Sequence, residues 1–436
     1  MDIKALLAQV ETLREEAISL RRDYHKYAES SWLEFRTTAK IAEYLEGLGI
    51  PFVMGSDAIH PDYVVDAPAQ EVKQAAMARA VVQGGRPDLV ERTGGYTGLI
   101  AWIETGKPGP VVALRFDIDA NDCTEPTGDQ NHKPAAGGYA SVNTGSQHAC
   151  GHDAHITIGL MTCKLLWEHR AELRGTIKIL FQPAEEGVRG AEAMVHTGVL
   201  SNVDYFLSGH VGFGAKTIDT FIASCTGLLA TSKVNAYFHG TPAHAGASPE
   251  SGHSALLAAS AAALMMHSQC QDGRGAARVN VGVLRAGSAR NVVPAEAELL
   301  VETRGLTTEI NRDMMTRAEA CIRGAAAAYG CTVDLVKAGG AVSADSDKAL
   351  ADFAAETVRQ YGLANKIESD FYFGASEDVT FLMKEVQAHG GQAIYMMYGT
   401  EIAAPHHNDR FDLNEEVLMT ATKTVCAITV RTLLEK

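Results

Sequence analysis

The chain has 436 residues, 46% of them hydrophobic, enough for one large core or two ordinary ones, and its length suggests two or three domains. A formal net charge of −15 excludes a general nucleic-acid binder, since no positive surplus exists to replace phosphate counterions. It also leaves any anionic substrate dependent on a local basic site.

The start, MDIKALLAQVETLREEAISLRRDYHKY, alternates charged and apolar residues at helical spacing and lacks the uninterrupted apolar stretch of a secretion signal. No run of about 18 apolar residues marks a membrane span. The eight cysteines, at 123, 150, 163, 225, 270, 321, 331 and 426, form no CxxC pair. A disulfide framework is therefore not expected, and a reducing, cytoplasmic compartment is. Residues 10–50 predict one or two amphipathic helices ending at Gly49, with Pro51 just beyond. Residues 60–92 predict an inserted helix with polar flanks. Leu99–Glu104, Val111–Phe116, Thr176–Phe181 and Tyr205–Ser208 read as strands, with helices near 152–170 and 188–198. Such alternation predicts an α/β domain with a mostly parallel sheet.

The pattern changes near residue 226. TSKVNAYFHG, ARVNVGVLRAG, EAELLVETRG and CTVDLVKAGG have strand character, and Ala-rich helices at about 253–269 and 309–329 separate them. Two helices on a four-stranded antiparallel sheet make an α+β module over 226–338. A helix at 347–361 and an apolar run at 393–398 then restore the α/β style. The module is thus an insertion between segments 1–225 and 339–436 of one catalytic domain.

Chemistry collects where the strands of that domain end. Val111–Phe116 runs into Asp117-Ile118-Asp119, Thr176–Phe181 into Gln182-Pro183-Ala184-Glu185-Glu186, and Tyr205–Ser208 into Gly209-His210; His406-His407 follows the 393–398 run after a loop. Ligands of open α/β sheets bind outside the carboxyl ends of strands. Taken singly, each residue is better explained as a turn or cap; four strands together are not. His148-Ala149-Cys150-Gly151-His152-Asp153-Ala154-His155 precedes a helix, and Cys150 with His152 can face one cation. The rival is a Cys150 nucleophile, which needs a base placed by the fold. The Glu185–Glu186 pair favours metal. Adjacent carboxylates point in different directions, so one binds a cation while the other serves as base.

At these residues the sequence resembles the aminoacylase and glutamate-carboxypeptidase family of di-metal amidohydrolases, in the subgroup of auxin-conjugate hydrolases. The match spans nearly the whole chain, through LRFDIDA, HACGHDAH, FQPAEEG, GTPAHAGASPE, RNVVPAEAEL, GASED and HHNDRFDLNEE. The resemblance implies metal ligands Cys150, His152, Glu186, His210 and His407, with Glu185 as general base and Asp117 and Asp119 orienting ligands. The subgroup's last ligand sits in His-x-Pro-x-aromatic; here Asp409 replaces the proline, which makes His406 the alternative to His407. Asn121-Asp122 stands where the subgroup often has Leu-Pro, which argues against direct contact from that loop. His155 is either a second support or a structural histidine, and Ser376-Glu377-Asp378 either a family motif or a helix cap. The resemblance further implies two divalent ions, Mn²⁺ favoured over Zn²⁺, and a small N-acyl amino acid substrate. The inserted module becomes a dimerisation lid whose His244 reaches a partner's site, in a homodimer or with a homologous second subunit. Asn291 and Arg304 match positions near the substrate carboxylate, and Arg290 is available for a second one.

Overall fold

The computed structural model describes residues 1–436. Three helices open the chain: α1 (Ile3–Thr12), α2 (Arg14–Lys26) and α3 (Phe35–Leu48). Asp2 caps α1 by accepting the Lys4 and Ala5 amides, and α3 stops at Gly49, whose φ of 77° is left-handed. There follow β1 (Phe52–Met54), α4 (Gln70–Val82), α5 (Pro87–Arg92), β2 (Leu99–Glu104), β3 (Val111–Asp117), α6 (Lys133–Ala136), α7 (His152–Glu168), β4 (Thr176–Gln182), α8 (Ala191–Val195) and β5 (Tyr205–Val211). Next come β6 (Thr220–Ile222), β7 (Cys225–Thr226), β8 (Ala230–His239), α9 (Ala255–Gln269), β9 (Ala277–Ala286), β10 (Glu296–Gly305), α10 (Thr308–Ala328) and β11 (Thr332–Ala341). The chain closes with α11 (Lys348–Tyr361), β12 (Lys366–Glu368), β13 (Phe371–Tyr372), α12 (Val379–Ala388), β14 (Gln392–Tyr398) and α13 (Val417–Glu435).

Two compact units result. The first holds Met1–Thr226, Asp345–Phe373 and Phe381–Lys436; the second holds Gly227–Ala344 with Gly374–Thr380. The insertion runs past residue 338 because β11 continues to pair with β8 through Ala341, after a register shift between Lys337 and Gly339. The short segment 374–380 carries no sequence signal for its grouping.

The first unit is built on an eight-stranded sheet ordered β1-β2-β4-β3-β5-β14-β6-β12. Strands β4, β3, β5 and β14 run parallel, as do β6 and β12, while β1, β2 and the β14–β6 step are antiparallel. The mostly parallel α/β expectation holds. Helices α7 and α13 pack together, and α13 carries Val417, Leu418, Val425, Ile428, Val430 and Leu433 into the core. Each such side chain contributes about 1.5–3 kcal/mol by leaving water. This helix is long and apolar enough to cross a membrane, yet 83% of its apolar window is buried within the fold.

The second unit is the expected four-stranded antiparallel sheet, β11-β8-β10-β9, with α9 and α10 on one face. Val234, Ala236, Phe238, Leu299 and Val301 meet Ala258, Ala262, Met314, Ala318 and Ile322 there. Two local differences affect the site. The helix expected over 188–198 shrinks to Ala191–Val195, because Gly187 and Val188 take positive φ (92° and 59°) in a tight turn. Strand β5 also runs on through Val211, so His210 lies on the strand rather than beyond it.

Candidate metal centre

Because β4, β3, β5 and β14 are parallel neighbours, their carboxyl ends share one edge of the sheet. Asp117 ends β3, Glu185 and Glu186 follow β4, and His210 sits one residue before the end of β5. Cys150 and His152 flank Gly151, which takes φ 86° at the start of α7. A Cβ on Gly151 would lie 2.7 Å from Val211 Cγ2, so only glycine lets this turn approach β5.

The cluster that results is tight. Cys150, His152 and His210 bring their ligand atoms within 4.8 Å of one another, as do Cys150, Glu186 and His407, and also His152, Glu185 and Glu186. Cys150 Sγ is 3.3 Å from His210 Nε2, and Glu186 Oε1 is 3.5 Å from His407 Nε2 and 4.0 Å from His152 Nε2. The Glu185 and Glu186 carboxylates do not diverge fully, since each has an oxygen close to the same imidazole.

Two tautomers are fixed by the backbone. His152 Nδ1 donates to the Asp119 carbonyl (2.9 Å) and His210 Nδ1 to the Val211 carbonyl (2.8 Å), so each ring, when neutral, turns an Nε2 lone pair to the cluster. His152 Nε2 and Glu186 Oε1 are buried without a hydrogen-bond partner. Such orphaned atoms are costly in isolation and are what a divalent cation satisfies, so the residues fit a metal. The local electrostatics agree with a missing charge. Burial pushes the Glu186 carboxyl up and His210 well down. Burial opposes a charge on His152 too, but Asp117 and Asp119 outweigh it and raise that ring to about 10.

His406 and His407 separate clearly. The His407 amide donates to Ala149 O (2.8 Å), φ is 65°, and its ring faces Glu186. His406 donates Nε2–H to Val211 O (3.2 Å) and stacks flat on Phe213 at 4.0 Å; burial lowers it to about 4. His155 donates Nδ1–H to Asp117 and accepts the Val211 amide (3.0 Å), a support on both sides. Asp117 also receives Arg115 (2.7 Å). Asp119 receives Ser31 (2.6 Å) and the Glu185 and Glu186 amides at 3.1 and 2.9 Å. Asn121, whose backbone bridges to Gln147, hydrogen-bonds the Glu186 carboxylate with its side chain. Glu377 accepts the Val379 amide (3.2 Å) at the start of α12.

Sequence reading missed a buried ionic framework behind α7. Arg21 pairs with Asp153 (2.8 Å) and Asp412 (2.7 Å), and His25 bridges Asp153 (2.7 Å) and Glu125 (3.0 Å). The only signal for it is Asp153 beside His152.

In the second unit, Ala243 O accepts the Val293 amide and Asn291 O the Ala245 amide, at 2.9 and 3.0 Å, which sets His244 opposite Val292, next to Asn291. The exposed His244 ring accepts the Gly246 and Ala247 amides at Nδ1, at 3.2 and 3.1 Å. This leaves Nε2–H as an outward donor. Arg304 pairs with Glu302 (3.1 Å), and Arg290 and Asn291 are exposed.

Sheet, strand-end cluster and inserted α+β unit together define a metallopeptidase-type hydrolase. The chain belongs to peptidase family M20/M25/M40, whose model matches residues 113–431. It is similar to a p-aminobenzoyl-glutamate hydrolase subunit of Escherichia coli (strain K12), 45% identical over 407 residues and 93% of each chain. It is likewise similar to indole-3-acetyl-aspartic acid hydrolase of Enterobacter agglomerans, 44% identical over 418 residues and 95% of each chain. The crystal structure of an aminobenzoyl-glutamate utilization protein from Klebsiella pneumoniae superposes with a TM-score of 0.85 at 37% identity, over 99% of this chain and 100% of that one.

Proposed function

We propose that the protein hydrolyses the amide bond of an N-acyl amino acid, p-aminobenzoyl-glutamate foremost, releasing p-aminobenzoate and glutamate. The observation that carries this is Glu185, largely buried, beside a cluster whose ligand atoms His152 Nε2 and Glu186 Oε1 have no hydrogen-bond partner. The two relatives of 45% and 44% identity are both named for amides of acidic amino acids, which supports the substrate class. Indoleacetyl-aspartate is the second reading, favoured by the latter relative.

Cys150, His152, Glu186, His210 and His407 would hold two divalent ions, Mn²⁺ before Zn²⁺. The soft thiolate suits zinc and the mixed imidazole and carboxylate set accepts manganese. When bound, such ions supply an acidified water and a polarised carbonyl. Glu185 takes the proton of the attacking water and gives it to the departing amine nitrogen. Nε2–H of His244, contributed by the partner subunit's copy in a homodimer or by a homologous second subunit, donates to the carbonyl oxygen as charge develops there. Arg304 and Asn291 take the α-carboxylate, and Arg290 the side-chain carboxylate. The eight free cysteines suit a cytoplasmic setting.

Hydrolysis rates for N-acyl-Glu and N-acyl-Asp against their Gln and Asn isosteres, with p-aminobenzoyl and indoleacetyl groups and either metal, test this reading. The acidic substrates should lead by at least about tenfold in kcat/KM, the 1.4 kcal/mol of one matched charge. Equal rates would remove the basic subsite, and no hydrolysis of any member would remove the function.

A further inference from the structure

After β4 the chain turns sharply, and two buried carboxylates receive three successive amides in that turn. The Ala184 N–H donates to Glu34 Oε1 (2.9 Å), and the next two amides go to Asp119 as described. Ala184 is fully buried and left-handed, with φ 53°. An L residue seldom adopts that conformation unless its surroundings enforce it. The turn is closed by the Arg189 amide on Ala184 O (3.1 Å). Glu34 has no exposure, stands just before α3 and spends its other oxygen on the Thr97 hydroxyl (2.6 Å). A carboxylate in such a place is costly unless its lone pairs are used, and one of its two oxygens is used on the amide directly before Glu185.

We infer that Glu34 is a positioning residue for Glu185: by accepting the Ala184 amide it holds the left-handed turn that aims the Glu185 carboxylate at the cluster. The inference rests on the reading of Glu185 as proton carrier. Displacing a reacting group by about 1 Å costs on the order of a hundredfold in rate, so the turn, which touches no substrate, governs turnover rather than binding. The left-handed geometry also makes a specific demand. Glycine adopts it freely, so a glycine in place of Ala184 has less need of the clamp.

The test is a double-mutant cycle in metal-loaded enzyme with a substrate that the wild type turns over, using Glu34→Ala, Glu34→Gln, Ala184→Gly and Glu34→Ala/Ala184→Gly. Glu34→Ala should lower kcat about a hundredfold with KM and metal stoichiometry within twofold. Glu34→Gln keeps an acceptor for the amide and should stay within about fivefold of wild type. In the Ala184→Gly background the Glu34→Ala penalty should shrink to less than about tenfold. Hydrogen exchange of the residue 184 amide in metal-free protein should be at least about tenfold faster in Glu34→Ala than in Glu34→Gln. An unchanged penalty in the Ala184→Gly background, or loss of KM or metal in step with kcat, overturns the inference. Should Glu34→Ala not fold, Glu34→Gln decides alone, since a folded Glu34→Gln enzyme a hundredfold slow in kcat would refute the acceptor role. If Glu185→Gln were itself fully active, the proton-carrier reading would fail instead.

Discussion

Around the cluster of the first unit, the supporting side chains find their partners within the chain. Asp117, Asp119, His152 and His155 are buried and joined by hydrogen bonds to one another or to backbone. In the second unit the residues assigned to substrate are arranged the opposite way. His244 turns one ring nitrogen to its own loop and the other outward, Arg304 meets only Glu302, and Arg290 and Asn291 stand exposed. The contrast separates two kinds of functional residue. The first are tied by buried hydrogen bonds, the arrangement that preorganised catalysis would use; the second are exposed or half-buried donors, free to meet a ligand under the proposed reading.

This contrast can be broken by measurement, and its largest expected effect is at Glu185. Glu185→Gln should cut kcat by about 10³–10⁴-fold while metal content stays at the wild-type level, because proton transfer is removed and the ligands are not. Metal analysis showing an emptied site would make Glu185 a ligand instead. His244→Ala should cost about 10²–10³-fold, the loss of one oxyanion donor. If that donor acts in the partner's site, mixing inactive His244→Ala and Glu185→Ala homodimers should restore about half of wild-type activity per mixed dimer, since one site of two regains both groups. No recovery despite subunit exchange would place His244 in its own chain's site.

The third effect is on stability and belongs to the first unit alone. Burial and Arg21 oppose a charge on His25, yet its bonds to Asp153 and Glu125 prevail and raise it to about 9. The folded value lies above the ordinary 6.5, so this stabilisation is complete below about pH 6.5 and fades as pH rises through about 9. His25→Gln should lose about 3 kcal/mol in urea unfolding at pH 6.5, and clearly less at pH 9.5. An equal loss at both values would mean that the ring is held neutral.

The strands were legible because hydrophobic runs bounded by turns record burial directly: β2 spans Leu99–Glu104 as read from the sequence, and β8 to β11 fall on the four runs chosen. Residues at strand ends were legible for the same reason, once topology aligned those ends. The ionic framework was not. RRDYHKY reads as one charged helix face, yet Arg21 and His25 are fully buried because Asp153, Glu125 and Asp412 come from distant parts of the chain. No local pattern encodes such pairings. Asn121 escaped similarly: it departs from the usual string, and its role depends on a loop closing on Gln147. Glu34 escaped because a glutamate before a helix looks like any capping residue.

Helix α13 and strand β14 have a consequence for biosynthesis. The second unit's sheet and both its helices are complete once Ala341 has been made. The first unit by then still lacks β14, which lies between β5 and β6, along with His407 and the helix packed on α7. A ribosome-bound chain has therefore made the sheet of the second unit before β14 and α13 of the first, while Gly374–Thr380, which groups with the second unit, is still to come. His407, the last along the chain of the five proposed ligands, is made only after that sheet.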